Sequence, residues 1–203
     1  MQKKIAAILR IEWVLAASLL LAVAQPAQAH PHVFIETRMD VQFDADGFLG
    51  IQVEWVFDAM FGNRIIADYD RDKNGRFDDG EIAQIEKKAF SNLSKFNYFT
   101  YIYIGNRRHD VRQVSDFKAS ISRKTVSYTF FVPYEQPWDQ LDGNIFIGFF
   151  DKTNFCDFQF PADRPFSVSA PPDFAIYTKI VATRDGWVRN RAFEELSLQY
   201  KKR

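Results

Sequence analysis

The residues best suited to chemistry lie in Asp70-Arg71-Asp72-Lys73-Asn74-Gly75-Arg76-Phe77-Asp78-Asp79-Gly80-Glu81. A hard cation such as Ca²⁺ takes six to eight oxygens at about 2.3–2.6 Å, and a helix-loop-helix calcium loop supplies them from positions 1, 3, 5, 7, 9 and 12. Here Asp70, Asp72 and Asn74 offer side-chain oxygens at 1, 3 and 5, and Arg76 its carbonyl at 7. Asp78 follows with a carboxylate or a water at 9, and Glu81 with both oxygens at 12. Gly75 occupies position 6, where the chain turns into a conformation that a Cβ would penalise. The cofactor expected here is Ca²⁺. Arg71, Lys73 and Arg76 offset part of the acidic charge, and no second loop of this spacing occurs. Both features point to a structural site of modest affinity.

Positioning such a loop requires a helix on each side. Ile82, Ile85, Ala89 and Leu93 recur at helical spacing after it, and Met60, Phe61, Ile65 and Ile66 precede it. The spacing predicts a helix-loop-helix over residues 58–95.

A second loaded stretch is His30-Pro31-His32-Val33-Phe34. Residues 1–29 have the form of a signal peptide: Lys3, Lys4 and Arg10 precede an apolar core from Trp13 to Val23, and Ala27-Gln28-Ala29 offers a cleavage site. Cleavage there would leave His30 with a free α-amine, and amine plus the imidazoles of His30 and His32 suit Ni, Cu or Zn. Pro31 has no N–H, so chelation through successive backbone amides is closed. The competing reading is that two histidines begin the first strand. Ala22-Val23-Ala24 is an alternative cleavage site, which would leave His30 internal. The exported chain is expected in the periplasm, with no membrane insertion once the leader is removed.

The full chain has 26 basic and 26 acidic residues. The leader holds Lys3, Lys4, Arg10 and Glu12, so 23 basic and 25 acidic residues remain, a net charge of −2. That balance argues against nucleic acid as partner. One cysteine, Cys156, cannot form an internal disulfide, and between Phe155 and Asp157 it reads as a small buried hydrophobe. His109, in the polar run 106–110, reads as a loop residue.

The remainder alternates as strands do. Val33, Ile35, Met39, Val41 and Phe43 form one arm of a hairpin turning at Asp46-Gly47, and Ile51, Val53, Trp55 and Phe57 the other. Further strand-like runs cover 98–105, 111–119, 125–132, 144–150, 155–160, 175–182 and 187–193, while 194–203 reads as a solvated basic tail. The expected fold is α+β, a mostly antiparallel β-sandwich with an inserted EF-hand-like helix-loop-helix, as a single domain over 30–203. Tyr101, Tyr103, Phe146, Phe149 and Phe150 fit its core, with a carbohydrate-binding aromatic platform as the alternative. No glycine-rich phosphate loop, nucleophile elbow or zincin helix occurs, so no catalytic machinery is visible.

The leader with His30-Pro31-His32-Val33-Phe34, the Val53-Glu54-Trp55 strand, the 70–81 loop and Phe150-Asp151-Lys152-Thr153-Asn154-Phe155 resembles an exported bacterial family of unknown function. Its members are often labelled periplasmic components of an uncharacterised ABC-type transport system, many encoded near nickel/cobalt transporters. The resemblance implies no established reaction; joined to the two metal-binding stretches, it leads to the expectation of a periplasmic metal-binding accessory linked to transition-metal transport, with a membrane metal transporter as partner. His30 and His32 match the family's amino-terminal pair, and Asp70, Asp72, Asn74, Asp78 and Glu81 its acidic loop. The 150–155 segment departs from the family's tyrosine-rich form, so no role passes to Asp151. The alternative is a calcium-stabilised structural or interaction module without a transition-metal role.

Overall fold

A computed structural model describes residues 31–141, 143–182 and 193–203. Period-two alternation builds its first hairpin: β1 (Val33–Phe43) and β2 (Gly47–Phe57) pair antiparallel from Ile35 opposite Phe57 to Phe43 opposite Phe48. Asp44 closes the turn, its Oδ1 accepting from the N–H groups of Asp46 (2.8 Å) and Gly47 (2.9 Å). Gly47 is required by proximity, because a Cβ there would lie 2.0 Å from the carbonyl oxygen of Gln136 on the neighbouring strand.

The hairpin is the centre of one sheet. Outside β2 lie β6 (Thr125–Pro137) and then β5 (Ser115–Ser122), both antiparallel. Beyond β1 lie β8 (Cys156–Gln159) and β9 (Phe166–Ser169), each parallel to it. The second sheet is antiparallel throughout, in the order β10 (Phe174–Ala182), β11 (Glu194–Lys202), β7 (Ile145–Phe149), β3 (Thr100–Ile104), β4 (Arg107–Asp110). The fold is thus mostly β, with two α-helices among the described residues, of the α+β class.

The core draws on both sheets. Ile51 and Val53 of the first, and Ile102, Ile145, Ile147 and Leu196 of the second, are wholly buried. Trp55 is the aromatic hub, its ring 4.8 Å from Phe130, 5.4 Å from Phe158 and 6.2 Å from both Phe90 and Phe99. Each such side chain contributes about 1.5–3 kcal/mol by leaving water.

The helical segment packs on this frame. Asp58 caps α1 (Ala59–Tyr69), accepting from the N–H groups of Met60 and Phe61 through Oδ1, and from Phe34 N–H through Oδ2 at 2.9 Å. One carboxylate therefore starts the helix and pins it to β1. After the 70–78 loop comes α2 (Asp79–Ile85), which widens into a π turn over Glu86–Phe90 and then tightens into 3₁₀ turns from Ser91, broken by a kink at Phe96, Asn97 and Tyr98 before Phe99. Phe90 anchors that stretch, 1% exposed and stacked 4.2 Å from Phe117.

Several expectations are corrected. The second helix is shorter than the period suggested, because its continuation abandons α geometry at Glu86. Residues 194–203 are not a free basic tail: β11 lies between β10 and β7, with Glu195, Leu196 and Leu198 buried. His109 sits in β4, an edge strand whose exposed charges had the look of a loop. The strand expected at 187–193 falls outside the described residues except for Phe193. No helix among the described residues is long and apolar enough to cross a membrane.

Candidate metal centre

Hydrogen bonds that never leave the segment curl residues 70–81. Asp70 ends α1, and its two oxygens accept from Asn74 N–H and Gly75 N–H, each at 3.1 Å. Asp72 Oδ1 accepts from Asn74 N–H at 3.1 Å, and its Oδ2 from the Asn74 side-chain amide at 2.7 Å. Asn74 Oδ1 in turn accepts from Arg76 N–H at 2.8 Å. Gly75 adopts φ of +77°, and a Cβ there would meet open space. Its requirement is conformational rather than steric.

The far end is tied back across the loop. Asp78 caps α2 by accepting from Glu81 N–H at 2.8 Å, while Glu81 Oε2 accepts from Asp78 N–H at 3.1 Å, a reciprocal capping box. Glu81 Oε1 reaches Arg71 N–H at 2.7 Å, ten residues away. Glu81 is thereby folded over the mouth of the loop rather than out into solvent.

As a result, Asp70, Asp72 and Glu81 each bring a carboxylate oxygen within 4.8 Å of the others. Two ligands on opposite sides of a Ca²⁺ ion stand about 4.6–5.2 Å apart, twice the bond length, so this spacing admits one ion between them. Asp70 and Glu81 are 7% and 6% exposed, and among the described residues no lysine or arginine pairs with either. Arg71, Lys73 and Arg76 point their charge into solvent. Two carboxylates about 4.8 Å apart repel by about 3 kcal/mol at an effective dielectric near 20, less where exposed Asp72 is one of the pair. Backbone N–H groups relieve part of that cost, and a divalent cation would relieve the rest.

The six loop residues expected as ligands therefore divide. Asp70, Asp72 and Glu81 converge. Asn74 stands beside Asp72 through its amide. Asp78 gives an oxygen to the helix cap, and Arg76 is exposed with its N–H held by Asn74.

Of the amino-terminal pair, His30 lies outside the described residues. His32 is exposed just ahead of β1, its N–H donated to the carbonyl oxygen of Phe155 at 2.9 Å and its ring 5.1 Å from the Phe155 ring. The chain thus sets His32 against the loop that begins at Asp151, a neighbour that sequence spacing did not suggest. Asp151 is buried, accepting from Thr153 N–H and its hydroxyl (2.8 Å each), Cys156 N–H (3.1 Å) and Phe155 N–H (3.2 Å). Burial and the adjoining Asp151 carboxylate push the Cys156 thiol up to about 12, so at neutral pH it is protonated and a poor nucleophile. His109 shares its Nδ1 with the Tyr134 hydroxyl at 2.6 Å and stands apart from both groups as a packed residue.

Residues 15–187 match the family model described as "Protein of unknown function (DUF1007)". A protein of Spirochaeta aurantia, described as "Uncharacterized 15.5 kDa protein in trpE 3'region", is 34% identical over 101 residues, which make up 50% of this chain and 71% of that relative.

Proposed function

Because the chain belongs to the DUF1007 family of proteins of unknown function, we propose, from its acidic loop and amino-terminal histidines together with the resemblance noted in its sequence, that it is a periplasmic metal-binding accessory protein linked to transition-metal transport. In this reading residues 1–29 are a signal peptide, and the exported chain is a β-sandwich carrying an EF-hand-like helix-loop-helix. The 70–81 loop holds Ca²⁺ through Asp70, Asp72, Asn74, the carbonyl of Arg76, Asp78 and Glu81, and stiffens the helical segment. His30 and His32 take Ni²⁺, Cu²⁺ or Zn²⁺ at the processed amino terminus and present it to a membrane metal transporter.

The observation that carries the calcium half of the reading is the convergence of Asp70, Asp72 and Glu81, two of them buried without a basic partner among the described residues. The exposure of His32 supports the second site, since a ligand that must exchange metal with a transporter has to be reachable. Isothermal titration of correctly processed protein tests it. Binding of Ni²⁺, Cu²⁺ or Zn²⁺ that disappears in His30→Ala and His32→Ala is expected; no binding, or binding indifferent to both changes, would overturn the transport role.

The acidic loop by itself favours a second reading, a calcium-stabilised structural or interaction module with no transition-metal role. A partner captured only in Ca²⁺, and retained by the histidine variants, would select it.

A further inference from the structure

A cleft of about 420 Å³ lies where the two sheets face each other beside β8, remote in sequence from the 70–81 loop. Phe149 from the second sheet and Phe158 from the first form apolar walls, their ring centroids 6.5 Å apart. Asp151, Asp157 and Glu194 add carboxylates, and among the described residues no lysine, arginine or histidine lines it. The ammonium of Lys152 sits instead by the Tyr101 ring, 5.8 Å from its centroid. Its volume falls in the range that takes a small organic molecule.

Thr37 supplies the observation that asks for a ligand. It belongs to the inward set of β1, between Ile35 and Met39, and is 1% exposed. Among the described residues its hydroxyl has no hydrogen-bond partner, and the residue lines the cleft. A valine of the same shape would fill that position without the cost, about 1–3 kcal/mol, of an unmet buried polar group.

From these features we infer that the cleft binds a small organic cation, an alkylammonium or diamine bearing a hydroxyl or amine that reaches Thr37. Aromatic faces attract a desolvated ammonium through their quadrupoles, and the three carboxylates supply the opposite charge. A metal ion fits less well: among the described residues the only three carboxylates drawn within ligand distance of one another are those of the 70–81 loop. Carboxylates spread around an aromatic cleft match a cation whose charge is distributed over a carbon skeleton. The inference is independent of the proposed transport role and of the calcium loop, so each can fail without the other.

Calorimetric titration of the exported protein with choline and with 1,5-diaminopentane tests it, using 3,3-dimethylbutan-1-ol as the uncharged isostere of choline. Saturable binding of at least one cation and none of the alcohol is expected. Thr37→Val should weaken that binding at least about fivefold while leaving the melting temperature unchanged or higher, a separation that a purely structural threonine would not give. Asp157→Asn with Glu194→Gln should weaken it by about tenfold or more, and both variants are checked for native circular dichroism. Failure of both cations to bind, equal binding of the alcohol, or affinity untouched by the folded variants would overturn the assignment.

Discussion

Replacing Glu81 by glutamine should abolish a calcium-dependent gain in stability while leaving the metal-free fold nearly as stable as before. The glutamate accepts two backbone hydrogen bonds, from Arg71 and Asp78, through different oxygens. Glutamine keeps the length and one acceptor, so the substitution costs about 0.5–1.5 kcal/mol. Against that, it removes a charge within 4.8 Å of buried Asp70, relieving repulsion of about 3 kcal/mol at an effective dielectric near 20. The metal-free variant should therefore match or exceed the wild type. With calcium the order reverses. A dissociation constant of about 10⁻⁴–10⁻³ M, usual for exported calcium modules, gives about 1.4–2.7 kcal/mol of stabilisation at about 10 mM ion. For a domain of this size that is a rise of about 3–10 °C in melting temperature. Thermal unfolding in EGTA and in about 10 mM CaCl₂ measures it. A wild type that gains nothing, or a Glu81→Gln variant that gains as much, would refute the reasoning.

Three further outcomes test the surrounding structure. Gly75→Ala should cost only about 1 kcal/mol, since its φ of +77° is the sole obstacle, whereas Gly47→Ala should unfold the hairpin because its Cβ meets the Gln136 carbonyl oxygen at 2.0 Å; urea titrations of the two variants compare them. Cys156, its thiol pushed up to about 12, should react with a disulfide reagent at pH 8 about a thousandfold more slowly in the native protein than in urea. Burial and Arg107 hold His109 below its ordinary value of 6.5, against the pull of Asp110, so the unfolded chain binds the extra proton first. Stability should then be full above pH 6.5 and fall as pH drops toward the lowered value, a slope that denaturant titrations should find flattened in His109→Asn.

The parts legible in the sequence were those whose information is local. The β1–β2 hairpin announces itself by alternation and by Asp46-Gly47, and the 70–81 loop by fixed spacing between two apolar stripes. β11 was obscured because its buried Leu196 and Leu198 sit among Glu194, Glu195, Lys201 and Lys202; its place between β10 and β7 comes from partners distant in the chain. The parallel attachment of β8 and β9 to β1 has no local mark either, and β9 is four residues between proline-rich turns. The convergence of Asp70, Asp72 and Glu81 was legible from spacing, whereas the helix cap that takes an Asp78 oxygen was not weighed. Thr37 was unreadable as a site residue: a threonine in a strand is ordinary until its inward hydroxyl proves to have no partner.

Everything proposed for the acidic loop reduces to whether one hard cation sits among Asp70, Asp72 and Glu81. Calorimetric titration of the protein with CaCl₂ to about 10 mM, the range that fills a site with a dissociation constant of about 10⁻⁴–10⁻³ M, beside a variant carrying Asp70→Asn and Asp72→Asn, addresses this most directly. One equivalent of calcium bound by the first and none by the second is the predicted result. Calcium bound by neither, or equally by both, would contradict it.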